Sequence, residues 1–366
     1  MIVRTDFDVP LMHGAVVQDA RIRASIPTIK YLLSKKALQI IIVSHAGRPH
    51  GRRVPSLSLA PIAEHLCELL GKPVAVAKDC ISSSIPNQRL VVLENLRFHP
   101  GEESNNARFA SLIAKHGDLF VNDAVAVMHR KHASMVGIPA YLPSYAGLHV
   151  EHEVEALEKW LAKPKHPFLA ILGGAKADKM NLLNHMLAKS DAVFVMGVLG
   201  NILLKAQGKN AGRVDAQKKD VLEAKRICSH PKLVLPSDAI CAKAPGKPHT
   251  IRIVPIEDVP AGYRIFDVGP ATLTHLFELI DQAKTIFWAG TPGMYEDPHF
   301  ATGTNLVAKW MARSNAVTVV AGGDTGAAVH RLGLAGKMTH ISTGGGAALA
   351  FVEGKKLPGL EPLKAR

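Results

Sequence analysis

The chain is poor in cysteine: 366 residues contain four, and Cys67, Cys80, Cys228 and Cys241 form no CxxC pair. That argues against a zinc site or a disulfide framework and fits a reducing cytoplasm. Aromatic residues make up only 5%. No basic run is interleaved with them, so a stacking platform for single-stranded nucleic acid is not expected. No apolar run reaches the length of a membrane span, and no membrane association is expected. The N-terminus, MIVRTDFDVPL, lacks the basic segment and apolar core of a secretory signal. There is no GxxxxGK[ST] phosphate loop and no GxGxxG after a strand, and His129-Arg130-Lys131 lacks the aspartate of a protein-kinase catalytic loop.

What is present is basic. Lys and Arg number 44 against 31 Asp and Glu, a net charge of +13. Such an excess suits an anionic partner, whether nucleic acid, anionic lipid or a phosphorylated small molecule, and it equally suits a generally basic surface that binds no polymer. The length suits two domains of ordinary size. Short β-branched runs, such as LQIIIVSHAG (38–47), RLVVLENLRF (89–98), PFLAILGG (167–174), KTIFWAG (284–290) and AVTVVAGGD (316–324), alternate with amphipathic stretches such as LAPIAEHLCELLG (59–71) and KMNLLNHMLAKS (179–190). Continuous apolar strands alternating with helices predict parallel sheets covered on both faces. The segment 150–167 starts acidic and ends in Lys-Pro-Lys-His-Pro, which suits a helix dipole stopped by Pro164. It is the candidate inter-domain helix, with an ordinary surface helix as the alternative.

Ligands of open α/β sheets bind at the carboxyl ends of the strands. In the first half those ends read Ser44-His45-Ala46-Gly47-Arg48, Asn95-Leu96-Arg97 and Asn122-Asp123-Ala124, with Arg130 shortly after and Arg21 near Asp6 and Asp8. Each arginine alone suits a surface ion pair. Three of them just beyond strand ends suit two-point binding of phosphate or carboxylate. In the second half the ends are glycine-rich: Gly173-Gly174, Gly197, Gly290, Gly322-Gly323-Asp324-Thr325 and Gly344-Gly345-Gly346. Such turns serve tight strand–helix packing, and they also present backbone N–H groups to a phosphate. Asp324 offers the hard oxygen that Mg²⁺ prefers. In GGAKADK (173–179), Lys176 and Lys179 follow the bare turn. A small-anion site in one half and a phosphate site in the other describe a two-substrate phosphoryl transferase.

The motifs DFDVPL, RIRASIPTI, SHAGRP, LENLRFHPGEE, VNDAVAVMHRKHAS, GGAKADK, DVGP, AGGDT and ISTGGGA run in the order of the phosphoglycerate kinases, and the chain resembles that family over nearly its whole length. The resemblance implies an α/β fold of two doubly wound, Rossmann-like parallel-sheet domains joined by a helix. It implies a phosphoglycerate-binding domain at 1–149, a helix at 150–165, a nucleotide-binding domain at 166–347, and a segment 348–366 that returns toward the first domain. It implies reversible transfer between 1,3-bisphosphoglycerate with MgADP and 3-phosphoglycerate with MgATP, accompanied by hinge closure, in a cytoplasmic monomer. Asp6, Asp8, Arg21, His45, Arg48, Arg97 and Arg130 would bind the phosphoglycerate. Gly174, Ala175, Lys176, Lys179, Gly197, Gly290, Pro292, Glu296, Gly322, Gly323, Asp324 and Thr325 would bind the nucleotide, with Glu296 on the ribose and Asp324 on Mg²⁺. Arg21, Lys176, Lys179 and Gly323 would act on the transferred phosphoryl.

The departures from the family pattern lie mainly on the nucleotide side. The lysines of GGAKADK are one residue closer together than in GGxKxxxK, which on a helix would aim Lys179 differently. Ala289 stands where the family has asparagine, and Met196-Gly197-Val198-Leu199-Gly200 replaces a run of glycines, so side chains there would crowd the adenosine. Asp8 replaces an asparagine and would need a cation such as Arg21 or Arg130. A second reading is therefore a binding or regulatory paralogue that transfers poorly. A third, nucleic-acid binding through the net charge, would show as steep salt dependence.

Overall fold

Strands without an exposed residue build both large sheets: Ile40–Val43, Leu90–Val92, Phe168–Leu172 and Thr285–Ala289 are buried throughout. Water is excluded from both faces, which is why these strands carry uninterrupted apolar runs. The structure is a computed structural model that describes residues 1–81, 84–175 and 179–364. The chain divides into two units, Met1–Glu155 with Gly354–Arg366, and Ala156–Glu353.

The first unit holds a six-stranded sheet in the order Ala75–Val76, Leu90–Val92, Ile40–Val43, Ile2–Arg4, Phe120–Asn122, Ser144–Ala146, with every pair parallel. The period of two sorts its side chains. Val3, Ile40 and Ile42 pack with Ile22, Ile29, Ile62 and Leu66 from the helices Ala20–Ser34 and Ala60–Leu70. Ile2, Ile41, Val43 and Val91 pack on the other face with Phe109 and Ile113 from the helix Ala107–Ala114. The tail belongs to this unit: Gly359 donates to the Met128 carbonyl and Lys364 to that of Ser144, both at 2.9 Å.

The second unit repeats the plan in the order Leu233–Val234, Ala192–Val195, Phe168–Leu172, Thr285–Ala289, Val317–Ala321, His340–Ile341, again all parallel. Phe168, Ala170 and Leu172 face the helices Met180–Lys189 and Gly197–Ala206, and Leu169 and Ile171 face Pro270–Gln282 and Thr302–Arg313. The order of winding reverses between Phe168–Leu172 and Thr285–Ala289, which opens a crevice at their carboxyl ends.

Two features differ from the expectation. The strands Arg252–Pro255, Asp238–Ala242 and Arg264–Val268 form a separate antiparallel sheet, not part of a parallel one. The acidic helix runs over Leu148–Leu161, so it starts before residue 150 and ends ahead of Pro164. The division between the units falls inside it, after Glu155.

Candidate active site

In the first unit the carboxyl ends of the strands carry a cluster of cations. His45 is 2% exposed, and burial together with Arg4, Arg97, Arg21 and His132 holds its pKa well below the usual imidazole value, so it is neutral. Arg4 Nη2 lies 3.1 Å from His45 Nδ1. A guanidinium can only donate, so Nδ1 accepts and the ring proton sits on Nε2. Arg97 is 4% exposed; its Nη1 donates to the Gly47 carbonyl at 2.7 Å, and its Nε is 3.7 Å from Glu103 Oε1. Asn95 sets that turn, accepting from Arg97 N and donating to the Ala46 and Leu57 carbonyls. Arg130 acts electrostatically on Arg97 and His132, and burial with these cations brings His132 down to about 4. Arg21, in the first turn of its helix, reaches Asp6 Oδ2 at 3.3 Å and the Asp8 carbonyl at 3.0 Å through Nη1. Arg48 is exposed, next to Gly47. Burial, and after it the neighbouring guanidiniums, lower Arg97, His45 and His132, and a bound anion would relieve the repulsion.

The Asp8 carboxylate does not use the cations expected for it. Its Oδ1 accepts from Gly47 N at 2.8 Å and its Oδ2 is 3.8 Å from His45 Nε2, while Arg21 takes its backbone carbonyl. A carboxylate among the cations is satisfied by a backbone N–H and takes no guanidinium.

Behind the cluster lie buried groups, of which the sequence marked Asp123 as part of a strand end but did not single out Arg4, Ser134 or Glu102. Arg4 has no exposed surface and donates to Ser134 Oγ at 2.8 Å and to the Thr5 carbonyl. Ser134 in turn donates to Glu102 Oε1 at 2.6 Å. Asp123 accepts from Thr28 Oγ1 and from His149 N, at the start of the helix Leu148–Leu161. Burial pushes the Asp123 carboxyl up to about 7. The native state therefore holds this proton to higher pH than the unfolded chain, and the resulting stability is lost as pH rises from about 4 through about 7. Asp123→Asn keeps the accepting oxygen without the charge. We expect its urea midpoint to exceed that of the wild type above pH 7, by up to ~4 kcal/mol in unfolding free energy, and the difference to vanish near pH 4.

In the second unit three glycine turns press together at the crevice. Gly290 has φ +100°, and a Cβ there would sit 2.1 Å from the Gly173 carbonyl oxygen; a Cβ on Gly197, with φ +63°, would sit 2.5 Å from that of Gly174. Thr325 Oγ1 accepts from Gly290 N at 2.7 Å, so this hydroxyl holds the turn. Gly290→Ala is expected to lower unfolding free energy by on the order of 3 kcal/mol, since it adds a backbone clash to a disfavoured φ; a urea titration reads it.

A cavity of about 450 Å³ opens at these turns, lined by Gly174, Ala175, Gly197, Pro292, Glu296 and Asp324 among the expected residues. Gly290, Gly322, Gly323, Thr325 and Lys179 are not part of its lining. Lys179 directly precedes the helix Met180–Lys189 as its N-cap, so the helical-wheel argument about its aim does not apply. Its Nζ would be 3.1 Å from a Cβ on Gly174, which places the ammonium over the bare turn. Lys176 lies outside the described residues. Asp324 is exposed in the first turn of the helix Gly323–Arg331 and makes no ion pair among the described residues.

The cavity's other walls were not anticipated. Phe266, Arg264 and Ile265 come from the antiparallel sheet, and Arg213, Val214, Asp215 and Asn201 come from the far side. Arg264 Nη1 pairs with Asp215 Oδ2 at 2.8 Å, and Phe266 stacks on Phe300 with centroids 4.8 Å apart. No local motif marks these residues, because they meet only through folding. Of the run thought to crowd the site, Val198 alone among its bulky residues lines the cavity; Met196 and Leu199 are buried in the core, and so is Ala289.

Known proteins match this arrangement along the whole chain. The family model described as phosphoglycerate kinase matches residues 1–355. A phosphoglycerate kinase of Pelotomaculum thermopropionicum is 42% identical, covering 99% of this chain and 95% of that protein. One from Moorella thermoacetica is 41% identical with the same coverage. The solved phosphoglycerate kinase of Coxiella burnetii superposes with a TM-score of 0.84 at 37% identity, covering 99% of this chain and 95% of that one. That of Pyrococcus horikoshii gives 0.85 at 30% identity, with the same coverage. Family model, sequence identity and fold agree, and the chain belongs to the phosphoglycerate kinase family.

Proposed function

We propose that the chain catalyses reversible phosphoryl transfer between 1,3-bisphosphoglycerate with MgADP and 3-phosphoglycerate with MgATP. The observation that carries this reading is the division of chemistry between the units. One holds clustered guanidiniums beside a neutral histidine, and the other a glycine-lined cavity at the switch point of a parallel sheet. Identity of 42% over 99% of the chain with a protein named for the activity favours a working enzyme over a binding-only paralogue.

In this reading Arg21, Arg97, Arg130 and Arg48 hold the acid, and His45 donates to it from Nε2, with Asp6 and Asp8 fixing Arg21. Phe266, Val198 and Met294 wall the nucleoside, and Glu296 takes the ribose hydroxyls. Its phosphates meet Gly174, Ala175, Gly197 and Pro292, beside the Gly290 turn. The Gly322-Gly323-Asp324-Thr325 helix N-terminus offers N–H groups to them as well. Asp324 supplies one hard oxygen to the Mg²⁺ that enters with the nucleotide and spreads its phosphate charge. Lys176, Lys179 and Arg21 neutralise the phosphoryl in transfer and Gly323 offers it a backbone N–H, in a reaction that asks of a protein mainly in-line positioning and charge. Closure of the units on their paired substrates excludes water. One chain carries both half-sites, so a monomer suffices. The four cysteines are free, which fits a reducing cytoplasm, and no helix among the described residues is long and apolar enough to cross a membrane.

Calorimetry tests the division. Arg97→Ala should weaken 3-phosphoglycerate binding by about 10- to 100-fold, the worth of charge-assisted hydrogen bonds, and leave MgADP binding unchanged. Equal loss of both ligands, or of neither, would contradict it.

A further inference from the structure

We propose that Asp79, Cys80 and His99 form a binding site for a zinc-class divalent cation in the first unit, apart from the phosphoryl-transfer machinery. One ligand atom from each residue lies within 4.8 Å of the other two. The edge of a tetrahedral zinc site is about 3.5 Å, so side-chain rotation of roughly 1 Å closes the cluster.

Burial gives the site a floor and a mouth. Cys80 is fully buried, while the side chains of Asp79 and His99 are 40% and 27% exposed. The three residues are already held. Cys80 N donates to Asp79 Oδ1 at 2.7 Å, and His99 Nε2 lies 2.6 Å from the same oxygen. The His99 ring packs on Phe109 at 5.5 Å. Asp79 Oδ2 has no partner among the described residues.

The donor set selects the ion. Sulfur, imidazole and one carboxylate suit Zn²⁺ or Co²⁺, whereas Mg²⁺ asks for oxygen alone. Three protein ligands leave the fourth position to water. The thiol proton leaves to solvent as the sulfur–metal bond forms, and nothing is oxidised or reduced. His99 directly follows the turn Leu96–Phe98 that carries Arg97, so occupancy would pin that turn. The scattered cysteines had argued against zinc because they form no CxxC pair. Folding instead brings a histidine about twenty residues on to the Asp-Cys dipeptide.

The test is titration of the full chain with Co²⁺ under excess Mg²⁺, read by the thiolate-to-cobalt absorption band in the near ultraviolet. The wild type and Cys67→Ser should give the band, Cys80→Ser and Cys80→Ala should lose it, and His99→Ala and Asp79→Asn should bind at least about tenfold more weakly. Because Asp79 and His99 are only partly buried, their variants decide the matter even if those at Cys80 fail to fold. No band in the wild type, a band that survives in a folded Cys80→Ser protein, or unchanged affinity in His99→Ala would overturn the proposal.

Discussion

Arg21→Ala should lower turnover by on the order of 10³-fold or more, the range in which an arginine that neutralises a phosphoryl in transfer is worth its charge. The guanidinium is one-third exposed and is aimed by the Asp6 carboxylate at 3.3 Å and the Asp8 carbonyl at 3.0 Å. Those contacts hold the fork in place before any substrate arrives, so little is spent on ordering it during the reaction. Removing it leaves the core intact, and the melting temperature should change by only a few degrees. Arg21→Lys keeps the charge without the fork and should recover only part of the rate. Steady-state kinetics of the three proteins, with circular dichroism to confirm folding, check this. Turnover within tenfold of the wild type in Arg21→Ala would remove Arg21 from the chemical step.

Arg4→Met should cost about 3–5 kcal/mol of stability, the penalty for stranding one member of a buried charged network. Arg4 and Glu102 are both 0% exposed, and Ser134 links them by hydrogen bonds of 2.8 and 2.6 Å. The cost belongs to the unpaired carboxylate more than to the lost bonds, so Arg4→Met with Glu102→Gln should regain most of it. A double-mutant cycle in urea measures that coupling. Arg4 also fixes the His45 tautomer through Nδ1. The variant should therefore bind 3-phosphoglycerate more weakly even where it is folded. Equal destabilisation by the single and double replacements would show that Arg4 acts through packing alone.

Much of the fold was legible because parallel strands buried on both faces carry an unmistakable pattern: Ile40-Ile41-Ile42-Val43 admits few other readings. The strand-end residues followed from the same logic, since sheets of this kind place ligands beyond their carboxyl ends. The antiparallel sheet was missed for the converse reason. Arg252–Pro255 is mostly exposed and ends in proline, so no apolar alternation marks it. Arg4 was hidden inside an apolar strand, where a fully buried guanidinium is rare. Its role depends on Ser134, far along the chain. The cavity walls at Arg213, Arg264 and Phe266 share no motif, and the N-cap position of Lys179 depends on where one helix starts. For Arg4 and the cavity walls the missing information was a distance between segments remote in sequence.

The departures look different once placed. Ala289 and Leu199 sit in the core, so those substitutions concern packing, and Val198 narrows one wall of the cavity without closing it. The Lys179 ammonium lies over Gly174. The proposed function requires an altered but working nucleotide side, and nucleotide turnover is its direct readout. The decisive measurement is a coupled assay of 3-phosphoglycerate with MgATP on the wild-type chain and Lys179→Ala. Turnover of the wild type between about 1 and 10³ per second, greatly reduced in the variant, is the predicted result. Calorimetric binding of both substrates without turnover would contradict the account.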